Sequence, residues 1–203
     1  EGVVSELYGV THWDFDFKGH KLQGDWQAAL GVTVRVPHLS WTSMAGEAKR
    51  DYPASIGYQS PWFREYRQLE DYFARIGTAM TRGKCELNLG VLHPIESYWL
   101  TYGTEEKTGR LRDELNGHFD ALTEWLISDT KDFDLIAESL VPQLYKGICE
   151  GRLQIGEMSY STVLAPNMLT MRRTTLDMLR AFKRAGGRVV FTGYLPEYLD
   201  GEP

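Results

Sequence analysis

The first fifty residues of the chain gather side chains that could hold a sugar. The axial C–H face of a pyranose stacks on an aromatic ring, and its hydroxyls exchange hydrogen bonds with carboxylate, imidazole and guanidinium groups. We therefore predict a substrate-binding role for residues of these types, with the two tryptophans as stacking platforms: His12, Trp13, Asp14, Arg35, His38, Trp41 and Arg50. The alternative for the tryptophans is hydrophobic packing, and for the histidines it is structural hydrogen bonding.

Two further patterns suggest chemistry of other kinds. Residues 147–151 have the Gly-x-Cys-x-Gly form of a nucleophile elbow, which would make Cys149 an amidotransferase-like nucleophile at a strand-to-helix turn. The flanking residues favour neither a buried strand nor a helix, so this hypothesis ranks below the others. Asp14 and Asp16 share a face if their segment is extended, but Ca²⁺ takes about six to eight oxygen ligands, and no metal site is predicted.

Composition narrows the classes of function. The 203 residues include 28 acidic and 22 basic side chains, a formal net charge of −6, without the Lys/Arg block that follows a phosphate backbone. We expect no nucleic-acid partner. The longest apolar runs fall far short of the ~20 residues that cross a bilayer, so we expect no membrane partner. Two cysteines with 63 residues between them indicate a reducing, cytoplasmic compartment.

The elements that must position the front residues are strands joined by long loops. The valines of segment 32–36 alternate with polar residues, as in a strand with two unlike faces, and Pro37 ends it. A short helix is predicted before this strand, over residues 21–30. Ser60 and Pro61 form a helix start, after which apolar residues recur every three or four positions.

After residue 83 the pattern changes to strands that alternate with helices. Strands are predicted over 87–92, 133–137, 162–165 and 188–192, with helices after the first and third. This alternation is typical of an open, doubly wound α/β domain with a parallel sheet. The first strand is not followed by a Gly-rich phosphate loop, so we expect no flavin, dinucleotide or other cofactor.

The order of the front segments resembles the end of a glycosidase barrel. Ser5-Glu6-Leu7-Tyr8-Gly9-Val10-Thr11-His12-Trp13 is followed by Asp25-Trp26-Gln27-Ala28-Ala29 and then by Gly31-Val32-Thr33-Val34-Arg35-Val36-Pro37-His38. This order resembles strands seven and eight of a clan A type β/α barrel. The similarity is to the β-galactosidases of glycoside hydrolase family 42 and to related rhamnosidase-like enzymes, in which a Glu ends strand seven.

The second half resembles the flavodoxin-like domain that follows this barrel, which in family 42 is called the trimerisation domain. The similar segments are Val91-Leu92-His93-Pro94, Gly156-Glu157-Met158-Ser159-Tyr160, Val163-Leu164-Ala165-Pro166 and Gly186-Gly187-Arg188-Val189-Val190-Phe191-Thr192-Gly193. The resemblance implies an α/β fold class, with a partial barrel over 1–83, a flavodoxin-like domain over 84–203 and a homo-oligomer. Arg35-Val36-Pro37-His38 departs from the Phe-Arg-Trp-Arg-type ending of family 42, so β-galactosidase specificity does not follow.

The resemblance also implies a role for Glu6, which follows an apolar stretch and precedes a glycine-containing turn, as at the C-terminal end of a barrel strand. It implies a retaining glycoside hydrolase in which Glu6 attacks the anomeric carbon. A second carboxyl group, about 5–5.5 Å away, would serve as acid and base. That residue would lie on a strand outside this sequence. The alternative is a strand-end Glu6 that is solvated or paired with Arg35.

We expect the chain to be a piece of a longer protein and inactive alone, because it opens with Glu1 rather than Met and has too few strands for a barrel. The rival hypothesis is a non-catalytic ligand-binding or assembly module. The two differ at Glu6, since catalysis requires its carboxylate near Trp13, Trp41 and His38, at the ends of two adjacent parallel strands.

Overall fold

The computed structural model describes residues 2–46 and 56–203. The chain forms two compact units, Glu1–Lys84 and Cys85–Pro203, which we treat separately. Each unit combines helices with parallel strands. The predicted α/β fold class is therefore confirmed.

The first unit is a β-α-β-α succession. Strand β1 (Val4–Leu7) is followed by helix α1 (Phe17–Ala29), strand β2 (Val34–Pro37) and helix α2 (Arg67–Met80). The two strands are parallel, and Glu6 lies directly opposite Val36. Helix α1 begins where the Asp16 side chain accepts a hydrogen bond of 2.9 Å from the Gly19 amide, which is an ordinary N-cap.

The two faces of the β1–β2 pair differ in their surroundings. Side chains alternate between the faces of a strand, so Val4, Glu6, Val34 and Val36 share one face. All three valines on that face are 45–62% exposed. Arg35 lies on the opposite face, which packs on α2. The pair therefore has one covered face and one bare apolar face among the described residues.

Helices α1 and α2 approach closely because Gly24 has no side chain. A Cβ atom at this buried position would lie 2.2 Å from Cζ of Phe73. The guanidinium of Arg35 lies 3.8 Å from the centre of the same ring and also forms an ion pair with Glu70. Phe73 is thus the residue around which both helices and β2 are packed.

Helix α2 begins later than the Ser60-Pro61 signal predicts. Consecutive turns occupy residues 57–66, as in the hydrogen bonds from the Phe63 amide to the Ser60 carbonyl and from the Glu65 amide to the Trp62 carbonyl. Regular helix starts only at Arg67. The apolar spacing predicted the helix correctly, whereas the Ser60-Pro61 signal lies within the preceding turns.

The second unit is built on four parallel strands. These are β3 (Leu89–Leu92), β4 (Asp134–Ile136), β8 (Thr162–Ala165) and β10 (Arg188–Phe191), in the spatial order β10-β8-β3-β4. Numbered along the unit, this is the order 2-1-3-4, which begins the flavodoxin-like arrangement. Helices α3 (Ile95–Leu100) and α4 (Arg110–Ser128) follow β3, and α6 (Arg173–Arg184) precedes β10.

The connection between β4 and β8 was not predicted. A short helix α5 (Val141–Leu144) leads into an antiparallel sheet of β5 (Tyr145–Cys149), β6 (Arg152–Ile155) and β7 (Met158–Tyr160). A further short pair joins β9 (Thr170–Met171) to β11 (Tyr198–Leu199) in parallel. Of the three connections between the main strands, β3–β4 and β8–β10 contain the predicted helices, whereas β4–β8 contains the antiparallel sheet.

Cys149 lies at the end of β5, immediately before a two-residue hairpin turn. Glu150 and Gly151 both have positive φ, 51° and 73°, as the turn type of tight hairpins requires. An elbow needs a helix after the nucleophile, but here strand β6 follows. The amidotransferase-like hypothesis for Cys149 is therefore wrong.

One continuous core holds the second unit together. The buried residues come from the parallel sheet, from α5, β6, β7 and α6, and from the segment that follows β8: Leu92, Ile136, Val141, Leu153, Ile155, Tyr160, Val163, Ala165, Met168, Met171, Met178, Leu179 and Phe182. The first unit instead has two small clusters among its described residues, one around Leu7 and Tyr8 and one around Tyr66, Leu69 and Phe73. The antiparallel sheet thus contributes buried residues to the same core as the main sheet.

Candidate active site

Glu6 stands at the carboxyl end of β1, on the bare face of the two-stranded sheet. Its side chain is 66% exposed, and its Oε1 lies 3.7 Å from Nε2 of His38. His38 follows the last residue of β2. The carboxyl ends of two adjacent parallel strands therefore bring a carboxylate and an imidazole together, and protonation of the imidazole would make them an ion pair.

His38 is held at this position by its backbone and by the loop beside it. Its amide donates a hydrogen bond of 2.8 Å to the Leu7 carbonyl, which extends the strand pairing beyond β2. Its ring lies over Gly9, where a Cβ atom would be 3.6 Å from Cγ of the imidazole. Nδ1 of His38 is buried and has no hydrogen-bond partner among the described residues. A buried polar atom without a hydrogen-bond partner is unusual in a folded protein.

The loop after Glu6 has an unusual backbone. Tyr8, Val10 and His12 have φ values of 74°, 62° and 67°. Side chains other than glycine rarely adopt this region, and a β-branched residue such as Val10 adopts it least. Strained residues of this kind concentrate at functional sites, where the surrounding packing maintains them. The strain lies directly beside the Glu6 carboxylate.

Tyr8 anchors this loop in the interior. It is 1% exposed, and its carbonyl accepts a hydrogen bond of 2.5 Å from the Thr11 hydroxyl. Its ring centre lies 4.5 Å from that of His20 on α1, and burial raises the pKa of its hydroxyl. Tyr8 therefore connects the strained loop to the packed side of the unit.

His20 is a supporting residue that the sequence analysis missed. It is fully buried between the rings of Tyr8, Phe15 and Tyr66, and its Nδ1 lies 2.7 Å from the Asp16 carbonyl. Burial lowers the pKa of this imidazole. The buried positions of α1 recur every four residues but carry His, Gly and Ala, so only their spacing, and no apolar stripe, could have revealed them.

The predicted stacking residues lie in the loops that follow the two strands. Trp13 and Trp41 are half-buried, and His12 and Asp14 are exposed. Nε1 of Trp41 is buried without a hydrogen-bond partner among the described residues, while its carbonyl accepts a hydrogen bond of 2.7 Å from Gln59. Their roles in substrate binding stay predictions. Arg50 lies outside the described residues.

Arg35 does not join Glu6. It lies on the opposite face of the sheet, donates a hydrogen bond of 2.8 Å to the Tyr8 hydroxyl and pairs with the Glu70 carboxylate at 3.2 Å. The alternative that Glu6 pairs with Arg35 is therefore wrong, because Arg35 is paired with Ser5 and neighbouring positions along a strand point to opposite faces. We leave Arg35 out of the site, since its contacts explain its position structurally.

The described residues show neither a metal centre nor a membrane-spanning helix. Residues 2–46 and 56–203 contain no group of three or more His, Cys, Asp and Glu side chains that could hold a metal ion. No helix in these segments has the length and apolar character needed to cross a membrane. Both cysteines are free and exposed.

Comparison with known proteins gives a likeness of fold. No protein-family model and no curated protein matches the chain. Among solved structures, a rhamnosidase from Novosphingobium sp. PP1Y matches 98% of this chain with a TM-score of 0.62 and 17% sequence identity. The chain spans 18% of the length of that protein. At this identity, the likeness concerns the fold alone.

Proposed function

We propose that the chain is part of a glycoside hydrolase, with Glu6 as one of its catalytic carboxylates. The observation that carries the proposal is the position of Glu6 at the carboxyl end of β1, 3.7 Å from His38 at the end of the neighbouring parallel strand. Catalytic residues of β/α barrels occupy such strand ends. The fold likeness to a protein described as a rhamnosidase supports the same class of reaction.

The bare face of the β1–β2 pair supports a partial barrel. In a β/α barrel the helices cover the outside, while side chains of the inner face pack against one another. Val4, Val34 and Val36 occupy the helix-free face together with Glu6, and in a closed barrel they would be buried. We infer that further strands complete this face, which agrees with a chain that spans a small part of its structural neighbour.

In the proposed mechanism Glu6 attacks the anomeric carbon and a carboxylic acid outside this sequence protonates the leaving oxygen. The same group then deprotonates the water that releases the sugar, so the configuration is retained. His38, 3.7 Å from Glu6, would orient its carboxylate. Trp13 and Trp41 would stack against the sugar, and His12 and Asp14 would bind its hydroxyls. We further propose a cytoplasmic homo-oligomer without a cofactor.

The test is to express the complete protein that contains this segment and to screen aryl glycosides. Glu6→Gln should lower kcat by about 10²–10⁴-fold, the scale for a positioned catalytic group. Glu65→Gln is the matched control, because Glu65 is an exposed carboxylate of the same unit that lies in the turns before α2. NMR of the first-formed sugar should show the anomer of the substrate.

Three results would contradict the proposal. Equal turnover by Glu6→Gln and Glu65→Gln would remove Glu6 from the mechanism. Release of the opposite anomer would leave a glycoside hydrolase but replace nucleophilic attack with activation of water. Absence of turnover on every aryl glycoside, with intact binding of sugars, would favour the non-catalytic binding module.

A further inference from the structure

Trp125 on α4 is exposed on the surface of the second unit. Its side chain is 79% exposed, although Trp is largely buried in most proteins. Two recesses, of about 490 and 380 Å³, adjoin it and share Leu122 and Trp125 as lining residues. The indole therefore borders both recesses.

The larger recess carries a donor and an acceptor beside the indole. Besides Trp125 and apolar residues of α4, it is lined by Ser128, Asp129 and Lys131. Oδ2 of Asp129 lies 3.3 Å from Nζ of Lys131, and both side chains are well exposed. A carboxylate oxygen and an ammonium group at this spacing can accept from one hydroxyl of a vicinal diol and donate to the other.

The C-terminal turn of α4 fixes the backbone of this pair. The Lys131 amide bonds to the Leu126 carbonyl at 2.8 Å and the Thr130 amide to the Ile127 carbonyl at 3.0 Å, which is the Schellman arrangement. Thr130 occupies the position with φ 53° that glycine normally fills. The turn thus holds Asp129 and Lys131 on either side of a β-branched residue.

We propose that Trp125, Asp129 and Lys131 form a carbohydrate-binding site, which takes a pyranoside with its C–H face on the indole and two adjacent hydroxyls on the charged pair. This goes beyond the proposed function, because the site lies in the second unit and involves no residue of the candidate active site. A sugar fits better than a protein surface here. Hydroxyls can replace the water that hydrates Asp129 and Lys131, whereas an apolar partner would desolvate both charges without replacing their hydrogen bonds.

The test follows the indole N–H signals of the six tryptophans in ¹⁵N-labelled full chain during titration with methyl β-D-glucopyranoside or methyl α-L-rhamnopyranoside. We expect a saturable shift of one signal with at least one of the two sugars. Trp125→Phe should identify that signal by removing it. Cyclohexanol, which has an apolar ring but no diol, should bind more weakly.

Variants separate the two parts of the site. Trp125→Ala should weaken sugar binding about tenfold, the scale of a lost aromatic contact. Asp129→Ala should also weaken sugar binding. This variant tests the site even if Trp125→Ala does not fold. Trp99→Ala is the matched control, because Trp99 is also 62% exposed and lines neither recess. The Trp125 signal is read separately from those of Trp13 and Trp41, so this site can fail or hold independently of the proposed active site.

The proposal is overturned if neither sugar produces a saturable shift, or if Trp125→Ala and Asp129→Ala bind as tightly as Trp99→Ala. Sedimentation of the unliganded chain tests the competing occupant. Self-association that Trp125→Ala abolishes, without any response to sugar, would identify this surface as an interface between copies and would also overturn the proposal.

Discussion

The two units bury their apolar residues in different ways. The second has one continuous core, in which Phe182 and Leu153 are fully buried and to which strands β6 and β7 contribute. The first has two small clusters among its described residues and leaves the valine face of β1 and β2 exposed. Because stability follows buried apolar area, we expect the second unit to be the more stable of the two.

The Glu6–His38 pair and the larger apolar core lie in different units. The strained loop and the Glu6–His38 pair belong to the unit with the smaller clusters, where aromatic and polar contacts around Tyr8 and His20 maintain them. The second unit has the regular packing of a scaffold. Four predictions test this comparison.

The largest effect is expected from Phe182→Ala, which removes the ring at the centre of the second core. It should reduce the free energy of unfolding by about 3–5 kcal/mol, the usual cost of such a cavity. Hydrogen exchange should place the loss in residues 85–203. Phe191→Ala is the control, since Phe191 is 38% exposed. Equal losses in both variants would show that the second unit does not depend on this core.

Gly24→Ala tests the close contact between α1 and α2. The added methyl group would meet the Phe73 ring, and overpacking of this kind costs about 1–3 kcal/mol. Urea unfolding of the first unit measures the change. Gly77→Ala in α2 has open space around its Cβ and should instead stabilise the helix by about 0.5–1 kcal/mol. If both substitutions changed the free energy of unfolding in the same direction, the packing described here would be contradicted.

Acidification should act on the two units in opposite directions. Burial lowers the pKa of His20, so the unfolded chain binds the proton more tightly, and the stability of the first unit should fall as the pH drops below about 6.5. Burial raises the pKa of Glu138, which accepts a hydrogen bond from the Arg172 amide. The folded second unit then binds the proton more tightly and should gain stability as the pH falls towards the ordinary range of a carboxyl group.

Unfolding of each unit, followed by hydrogen exchange at pH 7 and at pH 5, checks these signs. His20→Gln should remove the pH dependence from the first unit, and Glu138→Gln should remove it from the second. A loss of stability of equal size in both units would show that neither buried group controls the response.

The smallest effect is expected at the end of α4. Thr130→Gly should stabilise the second unit by about 0.5–1 kcal/mol, because glycine adopts positive φ without steric cost. Thr130→Ala keeps a Cβ atom and should gain less. Thermal unfolding of the two variants provides the comparison, and a greater gain with alanine would show that backbone conformation does not limit this turn.

Periodicity predicted the main elements because local spacing determines them. The four parallel strands of the second unit, with α4 and α6, appear close to their predicted positions, whereas α1 begins four residues before its predicted start. The sheet of β5, β6 and β7 was missed, since its strands are short and its hairpin carries Glu150-Gly151 in place of the common Asn-Gly. The start of α2 was placed too early because turns and helices share the same N-terminal residues.

The site was only partly visible in the sequence. Glu6 and His38 were both predicted as site residues, and the parallel register of β1 and β2 explains why their side chains lie close together. Arg35 was grouped with them because the residue type suits sugars, but strand alternation directs it to the other face. His20 was not predicted, because α1 has no apolar stripe and the sequence around a single buried histidine does not show that it is buried.

The exposed edges of β1 and β2 have a practical consequence. Within the described residues each strand pairs only with the other, so the outer edge of each presents free backbone amides and carbonyls next to apolar valines. Such edges recruit strands from other molecules. The chain should therefore aggregate as its concentration rises. Val34→Lys should raise the concentration at which aggregation begins.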